Sequence, residues 1–230
     1  MYLGMDYTYI FVAIGALIVT IAQIGVKSSY NKYRDIDSKT RMKGKDVARK
    51  ILDANGLDNV KVKELSGELT DHYNPSDKTV NLSHDIYNDS SIASVAVAAH
   101  ECGHAIQDKN GYFFLRFRHG LVPFANLCSQ LGYVVIMIGI GAGAFNIAVI
   151  GILLLSVILL FHLVTLPVEF NASNRAKKQL KSLNITNNGS DNGISKMLYA
   201  AGMTYVASLA SNFLQIFRLV LIALSKRKDD

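Results

Sequence analysis

Charge is absent from long stretches of this chain. No Asp, Glu, Lys or Arg occurs in residues 7–26, in 119–168 or in 197–217. Half of the 230 residues are hydrophobic, too many for an ordinary soluble protein when they are gathered in such runs. Tryptophan is missing, and the only cysteines, Cys102 and Cys128, are too few for a disulfide framework. Cys102 and Cys128 read as packing residues rather than reactive thiols. There is no internal repeat, and the only biased tract is an Asn-rich loop within residues 184–193. These absences exclude a disulfide-stapled domain and a repeat array. They point to a membrane protein that carries one polar module.

The first uncharged run gives about 20 positions, enough to cross a hydrocarbon core. No basic residue precedes it and Asp6 is acidic, so a cleaved signal peptide is not expected. Lys27, Lys32, Arg34, Lys39, Arg41, Lys43 and Lys45 follow at once. By the positive-inside rule they place the N-terminus outside and the next segment inside. Nucleic-acid binding is the rival reading of that basic run, and its position hard against a span favours the topological one.

The polar module follows. A short amphipathic helix is expected over residues 46–54, with Val47, Ile51 and Leu52 apolar and Asn55-Gly56 as its stop. Val60 and Val62 alternate with Lys61 and Lys63, a weak strand signal. Residues 68–83, turning at Asn74-Pro75-Ser76-Asp77, predict a hairpin. In its second arm Val80 and Leu82 face one way and Thr79, Asn81 and Ser83 the other, as in a half-buried strand. Such a strand is either a sheet edge able to hold an extended peptide or a plain structural hairpin.

Asp89 or Ser90 is expected to cap a helix running to about Asp108, with Asn110-Gly111 ending it. This helix carries Ala98-Ala99-His100-Glu101-Cys102-Gly103-His104-Ala105-Ile106-Gln107. Its H-E-x-x-H pattern puts His100 and His104 one turn apart on one face, as two ligands of one metal must lie. Zinc accepts imidazole nitrogen, and a catalytic site keeps three protein ligands and an open position. Glu101 stands where a general base is needed. A structural helix with two buried histidines is the blander reading, but it leaves a carboxylate among apolar residues without a partner. The apolar part of this helix is about 15 residues long, short for a crossing, so it is expected to be the core helix of the module.

The second uncharged run is long enough for two spans, expected near residues 121–142 and 147–166. Gly139, Gly141, Gly143 and Asn146 mark a reversal, or else Gly139 and Gly143 let two helices approach closely. Two crossings return the chain to the side of His100 and His104. There Pro167, at a kink or in a helix first turn, sets Glu169 near a helix start. Glu169 is thereby the candidate third ligand, against the reading of an acid merely ending a span. His162, seven residues earlier, is an intramembrane candidate by default, more readily a cap on a carbonyl than a ligand. Of the remaining histidines, His84 and His119 have no partner spacing, and only His72, beside Asp71, is kept as a substrate or outer-sphere candidate. Residues 197–217 predict a fourth span or a packed helix. A span there would leave the basic tail Lys226-Arg227-Lys228 outside, against the charge rule.

With these motifs in place, the chain resembles the YugP-type membrane zinc metallopeptidases of bacteria. The resemblance rests on Leu69-Thr70-Asp71-His72-Tyr73, on the H-E-x-x-H segment, and on Leu166-Pro167-Val168-Glu169-Phe170-Asn171-Ala172-Ser173. It implies a zincin-like fold, one Zn2+ per chain held by His100, His104 and Glu169, and Glu101 as catalytic base. It also implies a bacterial cytoplasmic-membrane setting. Related glutamate-zincins often carry an acid one turn after the ligand glutamate; Ser173 stands there in this chain, so Asn171 or Ser173 is left to orient a histidine.

The expected fold is a mainly α membrane protein, a zincin-like α+β module with a small β-hairpin or sheet and three or four transmembrane helices. Residues 1–28 form an anchor, 29–119 the catalytic module and 120–167 an apolar helical hairpin. Residues 168–190 carry the third ligand, and 191–230 form a hydrophobic helix with a basic tail. The expected function is zinc-dependent hydrolysis of peptide bonds by an endopeptidase, with a peptide or protein substrate, a lipid bilayer around it and no nucleic acid. The rivals are a site-2-type intramembrane protease and a non-catalytic scaffold with a structural zinc site. Substrate and oligomeric state are not legible.

Overall fold

The computed structural model describes residues 7–186 and 189–227. Asp6, Asn187, Asn188 and Lys228, on which parts of the preceding reading rest, lie outside the described residues. The chain is mainly helical. In order it forms α1 (Tyr9–Arg34), α2 (Gly44–Ala54), β1 (Lys61–Leu65), β2 (His72–Asn74), β3 (Thr79–Ser83), α3 (His84–Asn88), α4 (Ile92–Lys109), α5 (Phe113–Gly141), α6 (Phe145–Ser182) and α7 (Asp191–Arg227). These elements divide between two compact units.

One unit, residues 24–116 and 167–203, is polar outside and apolar within. In α2 the positions predicted to be apolar, Val47, Ile51 and Leu52, are fully buried together with Ala48. Arg49 on the same helix donates to the carbonyls of Val60 (2.7 Å) and Leu57 (3.0 Å), which holds the turn into β1. The sheet order is β1-β3-β2, with β1 parallel and β2 antiparallel to β3. The expected half-buried second arm is therefore corrected: β3 is the central strand and all five of its residues are buried. Its polar face is covered because side chains satisfy it. Asp71 accepts from Ser83 N (2.7 Å) and Asn81 donates to Thr79 Oγ1 (2.9 Å). The edge beside the hairpin is β2, only three residues long.

The helix carrying the histidines is capped one or two residues later than expected, at neither Asp89 nor Ser90. Ser91 caps α4, its Oγ accepting from Ser94 N at 3.2 Å, and the separate turn α3 fills the segment before it. Its stop is as read: Asn110 follows the last turn, and Gly111 has a φ of +62°.

The other unit comprises residues 7–23, 117–166 and 204–227 of the described chain. Its helices turn apolar side chains outward: Met137 is 75 % exposed, and Phe124 and Leu153 are 63 % exposed. Among the described residues four helices, α1, α5, α6 and α7, are long and apolar enough to cross a membrane. Both readings of the glycine cluster hold, at different residues. Gly143, with φ +67°, lies in the turn between α5 and α6. A Cβ at Gly139 would lie 2.3 Å from Ala148 N, so this glycine is where the two helices touch. Pro167 starts no helix; α6 runs through it without a break. A proline inside a helix forfeits one hydrogen bond, which is why sequence reasoning puts it at an end.

Candidate metal centre

The α4 helix supplies two imidazoles and α6 a carboxylate. His100 and His104 stand one turn apart with ring centroids 4.8 Å from each other, edge to face. Glu169 Oε2 lies 3.3 Å from His100 Nε2 and 3.5 Å from His104 Nε2. One oxygen thus faces two ring nitrogens in a site where Glu169 is 3 % and His104 9 % exposed. Among the described residues these three form the one His/Cys/Asp/Glu group close enough to hold a metal ion.

Two small residues make the convergence possible. A Cβ on Gly103 would lie 2.5 Å from the carbonyl oxygen of Ala172, so the α4 and α6 backbones meet there. Glu169 sits one turn before Ala172 on α6, and the contact brings it level with the histidines. The x-x of H-E-x-x-H is therefore not filler: Cys102 packs inward, its thiol pushed up by burial in an apolar core, and Gly103 makes room for α6.

Each imidazole is held from behind. Ser173 Oγ lies 3.1 Å from His100 Nδ1, and Gln107 Oε1 lies 3.0 Å from His104 Nδ1. Gln107 Nε2 in turn donates to Val168 O (2.8 Å) and Asn171 Oδ1 (3.0 Å). Ser173 thus contacts a histidine directly, whereas Asn171 reaches one through Gln107. Sequence reasoning missed Gln107, although its place three residues after His104 on the helix was a usable signal. With both Nδ1 atoms engaged, the cluster offers Nε2, Nε2 and a carboxylate oxygen, the donor chemistry that zinc takes.

Glu101 is buried and pinned by the sheet edge, accepting a hydrogen bond from Tyr73 N at 2.9 Å. Burial raises its pKa to about 7, assisted by the negative charges of Glu169 and Asp71 and opposed by His100 and by the Tyr73 N–H. Tyr73 is itself clamped, its hydroxyl donating to Asp108 Oδ2 (2.8 Å), which also takes Lys78 Nζ (2.5 Å). Burial and the Asp108 carboxylate push that phenol well above its usual range.

The other candidates are not members of the His100/His104/Glu169 group. The Nδ1 of His72 faces the Thr70 carbonyl (2.9 Å) and its Nε2 faces Asn81 (3.3 Å), which ties it to the hairpin. His84 pairs with Glu64. His162 belongs to the apolar unit, beside Phe161.

A helix-borne His/His/Glu cluster with a pinned carboxylate, in a chain with four membrane-length helices, is the outline of a membrane zinc metallopeptidase. Residues 8–224 match the family described as "Putative neutral zinc metallopeptidase", and the chain belongs to that family. It is 40 % identical over 223 residues, 96 % of this chain and 99 % of the relative, to the "Putative membrane protease YugP" of Bacillus subtilis (strain 168). No solved structure matches.

Proposed function

We infer that the protein is a membrane-anchored zinc endopeptidase in which His100, His104 and Glu169 hold the metal and Glu101 is the general base. The observation that carries this reading is the convergence of two Nε2 atoms on one carboxylate oxygen beside a pinned glutamate. Zinc bound there supplies Lewis acidity, lowering the pKa of water and polarising the scissile carbonyl. Glu101 takes a proton from the attacking water and returns it to the leaving amine as the C–N bond breaks. Burial raises the proton affinity of Glu101, which suits a carboxylate that must take a proton from water. Tyr73 keeps the carboxylate aimed through its main-chain N–H. The arrangement of β2 alongside α4 supports a zincin-like module.

The reaction belongs outside the lipid, since α4 is not among the four membrane-length helices. The basic run from Lys27 to Lys45 supports a cytoplasmic location for the polar unit in a bacterial cell membrane. With four crossings the C-terminus lies outside despite its basic residues, so the topology rests on the longer basic run after α1. Labelling of cysteines introduced at Lys39 and at Lys226 distinguishes the two sides.

Purified Glu101→Gln retains zinc and loses about 10²–10⁴ of the peptide-cleavage rate. His104→Ala loses both. Cleavage by Glu101→Gln at the wild-type rate overturns the base assignment. Activity that survives complete zinc removal overturns the reading altogether.

A further inference from the structure

We propose that Gln107 and Asn171 are positioning residues that lock His104 in the Nδ1–H tautomer, so that its Nε2 lone pair already faces the metal position before any ion arrives. The proposal rests on the zinc reading above and extends it to how the site is prepared.

The argument starts from two groups that have no choice of role. Arg175 Nε can only donate, and it lies 2.7 Å from Asn171 Oδ1. The Val168 carbonyl can only accept, and it lies 2.8 Å from Gln107 Nε2. Asn171 must therefore present its oxygen, which also receives Gln107 Nε2 at 3.0 Å. With its amide nitrogen committed to two acceptors, Gln107 turns Oε1 to His104 Nδ1 at 3.0 Å. An amide oxygen accepts only, so the proton of a neutral ring sits on Nδ1. Nε2 is left bare, 3.5 Å from the Glu169 oxygen.

Two acceptors facing each other across a buried gap repel unless a positive charge comes between them. The lock makes that gap a place for a cation. Nothing comparable acts on His100, because the Ser173 hydroxyl at its Nδ1 donates or accepts by rotating. One histidine is preset and the other adapts. Val168, Asn171 and Arg175 recur at helical spacing on α6, the helix that also carries Glu169. A single helix thus delivers one ligand and fixes the tautomer of another.

The test uses the full chain in detergent micelles, stripped of metal and labelled with 15N-histidine. Long-range proton–nitrogen NMR reads the tautomer of His104, and competition with a chelator reads zinc affinity. Wild type is expected in the Nδ1–H form. Gln107→Leu is expected to populate both tautomers and to bind zinc about 10–100-fold more weakly. Asn171→Leu is expected to shift the tautomer in the same direction, and Asn171→Asp, which keeps the acceptor, to restore it. This second pair carries the test if Gln107→Leu does not fold. The lock is overturned if Gln107→Leu keeps the Nδ1–H form and wild-type zinc affinity, or if the two Asn171 variants behave alike. His104→Ala separates the two levels: wild-type zinc affinity in that variant refutes the zinc ligand set itself, whereas lost affinity with an unchanged Gln107→Leu refutes only the lock.

Discussion

The two units solve opposite problems with the same helices. In the polar unit, apolar side chains such as Ile51, Leu82, Val95 and Leu180 are buried almost completely, and the buried side chains of Asn81, Ser83 and Gln107 have hydrogen-bond partners. In the apolar unit, Met137, Phe124 and Leu153 face outward, and the small buried cluster is built from Ile136, Ala148, Ile152 and Leu155. Burial of apolar area stabilises the first, whereas close backbone contact at small residues matters more in the second. The polar unit also concentrates the buried carboxylates, Glu101 and Glu169, each facing specific partners. The proposed chemistry belongs to this unit.

The contrast can be broken at its glycines, where the largest effect is expected. Gly103→Ala puts a carbon 2.5 Å from the Ala172 oxygen and should cost about 3 kcal/mol of stability and release zinc. Gly139→Ala meets Ala148 N at 2.3 Å and should destabilise the apolar unit comparably while leaving zinc binding in place. Thermal melts with zinc titration check both. Loss of zinc in the second variant would mean that the units are not separable in this way.

A charge placed on each surface sharpens the difference. Leu153→Lys, on an outward position of the apolar unit, should cost about 2.5–3.5 kcal/mol of membrane insertion. Ile36→Lys, at an exposed position of the polar unit, should change stability by less than about 0.5 kcal/mol. Membrane fractionation and protease protection distinguish them.

The buried Glu101 carboxyl carries a pH signature of comparable size. In the metal-free chain Glu101 binds its proton more tightly when folded, near pH 7, than when unfolded, near 4.5. Stability therefore falls as pH rises through that window, by on the order of 3 kcal/mol. Glu101→Gln should recover most of that loss at pH 8 and little at pH 4, as denaturant titrations of the stripped protein would show. A pH-independent difference would show that Glu101 is not the group responsible. The smallest effect is at the hairpin: Tyr73→Phe loses the bond to Asp108 and should cost about 1 kcal/mol, with a drop in turnover as Glu101 loses its fixed aim. Unchanged turnover would detach the clamp from the base.

Much of the site was legible because helical spacing is a local property. His100 and His104 need only the 3.6-residue period to share a face, with Glu101 beside them, and the uncharged runs mark the four membrane-length helices of the described residues. Glu169 was reachable by topology, as the acid delivered after two crossings. What escaped depends on partners distant in the chain. β3 looked half-buried because Thr79, Asn81 and Ser83 alternate with Val80 and Leu82, yet the strand is central once Asp71 and its neighbours satisfy that polar face. Pro167 looked like a boundary by its backbone chemistry, and α6 overrides that preference. Gln107 carries a local signal in its spacing from His104, but its role as a positioning residue is completed by Val168 and Asn171, more than sixty positions away.

The bond between Tyr73 and Glu101 also bears on solubility. A sheet edge with free N–H groups is a template onto which a second copy of the chain can add a strand. The β2 edge is three residues long, and the outward N–H at its middle is already given to a carboxylate from α4. A stray strand would have to displace a buried acid from its hydrogen bond to gain that donor. The glutamate proposed to move protons in hydrolysis therefore also guards the β2 edge of the sheet against strand addition.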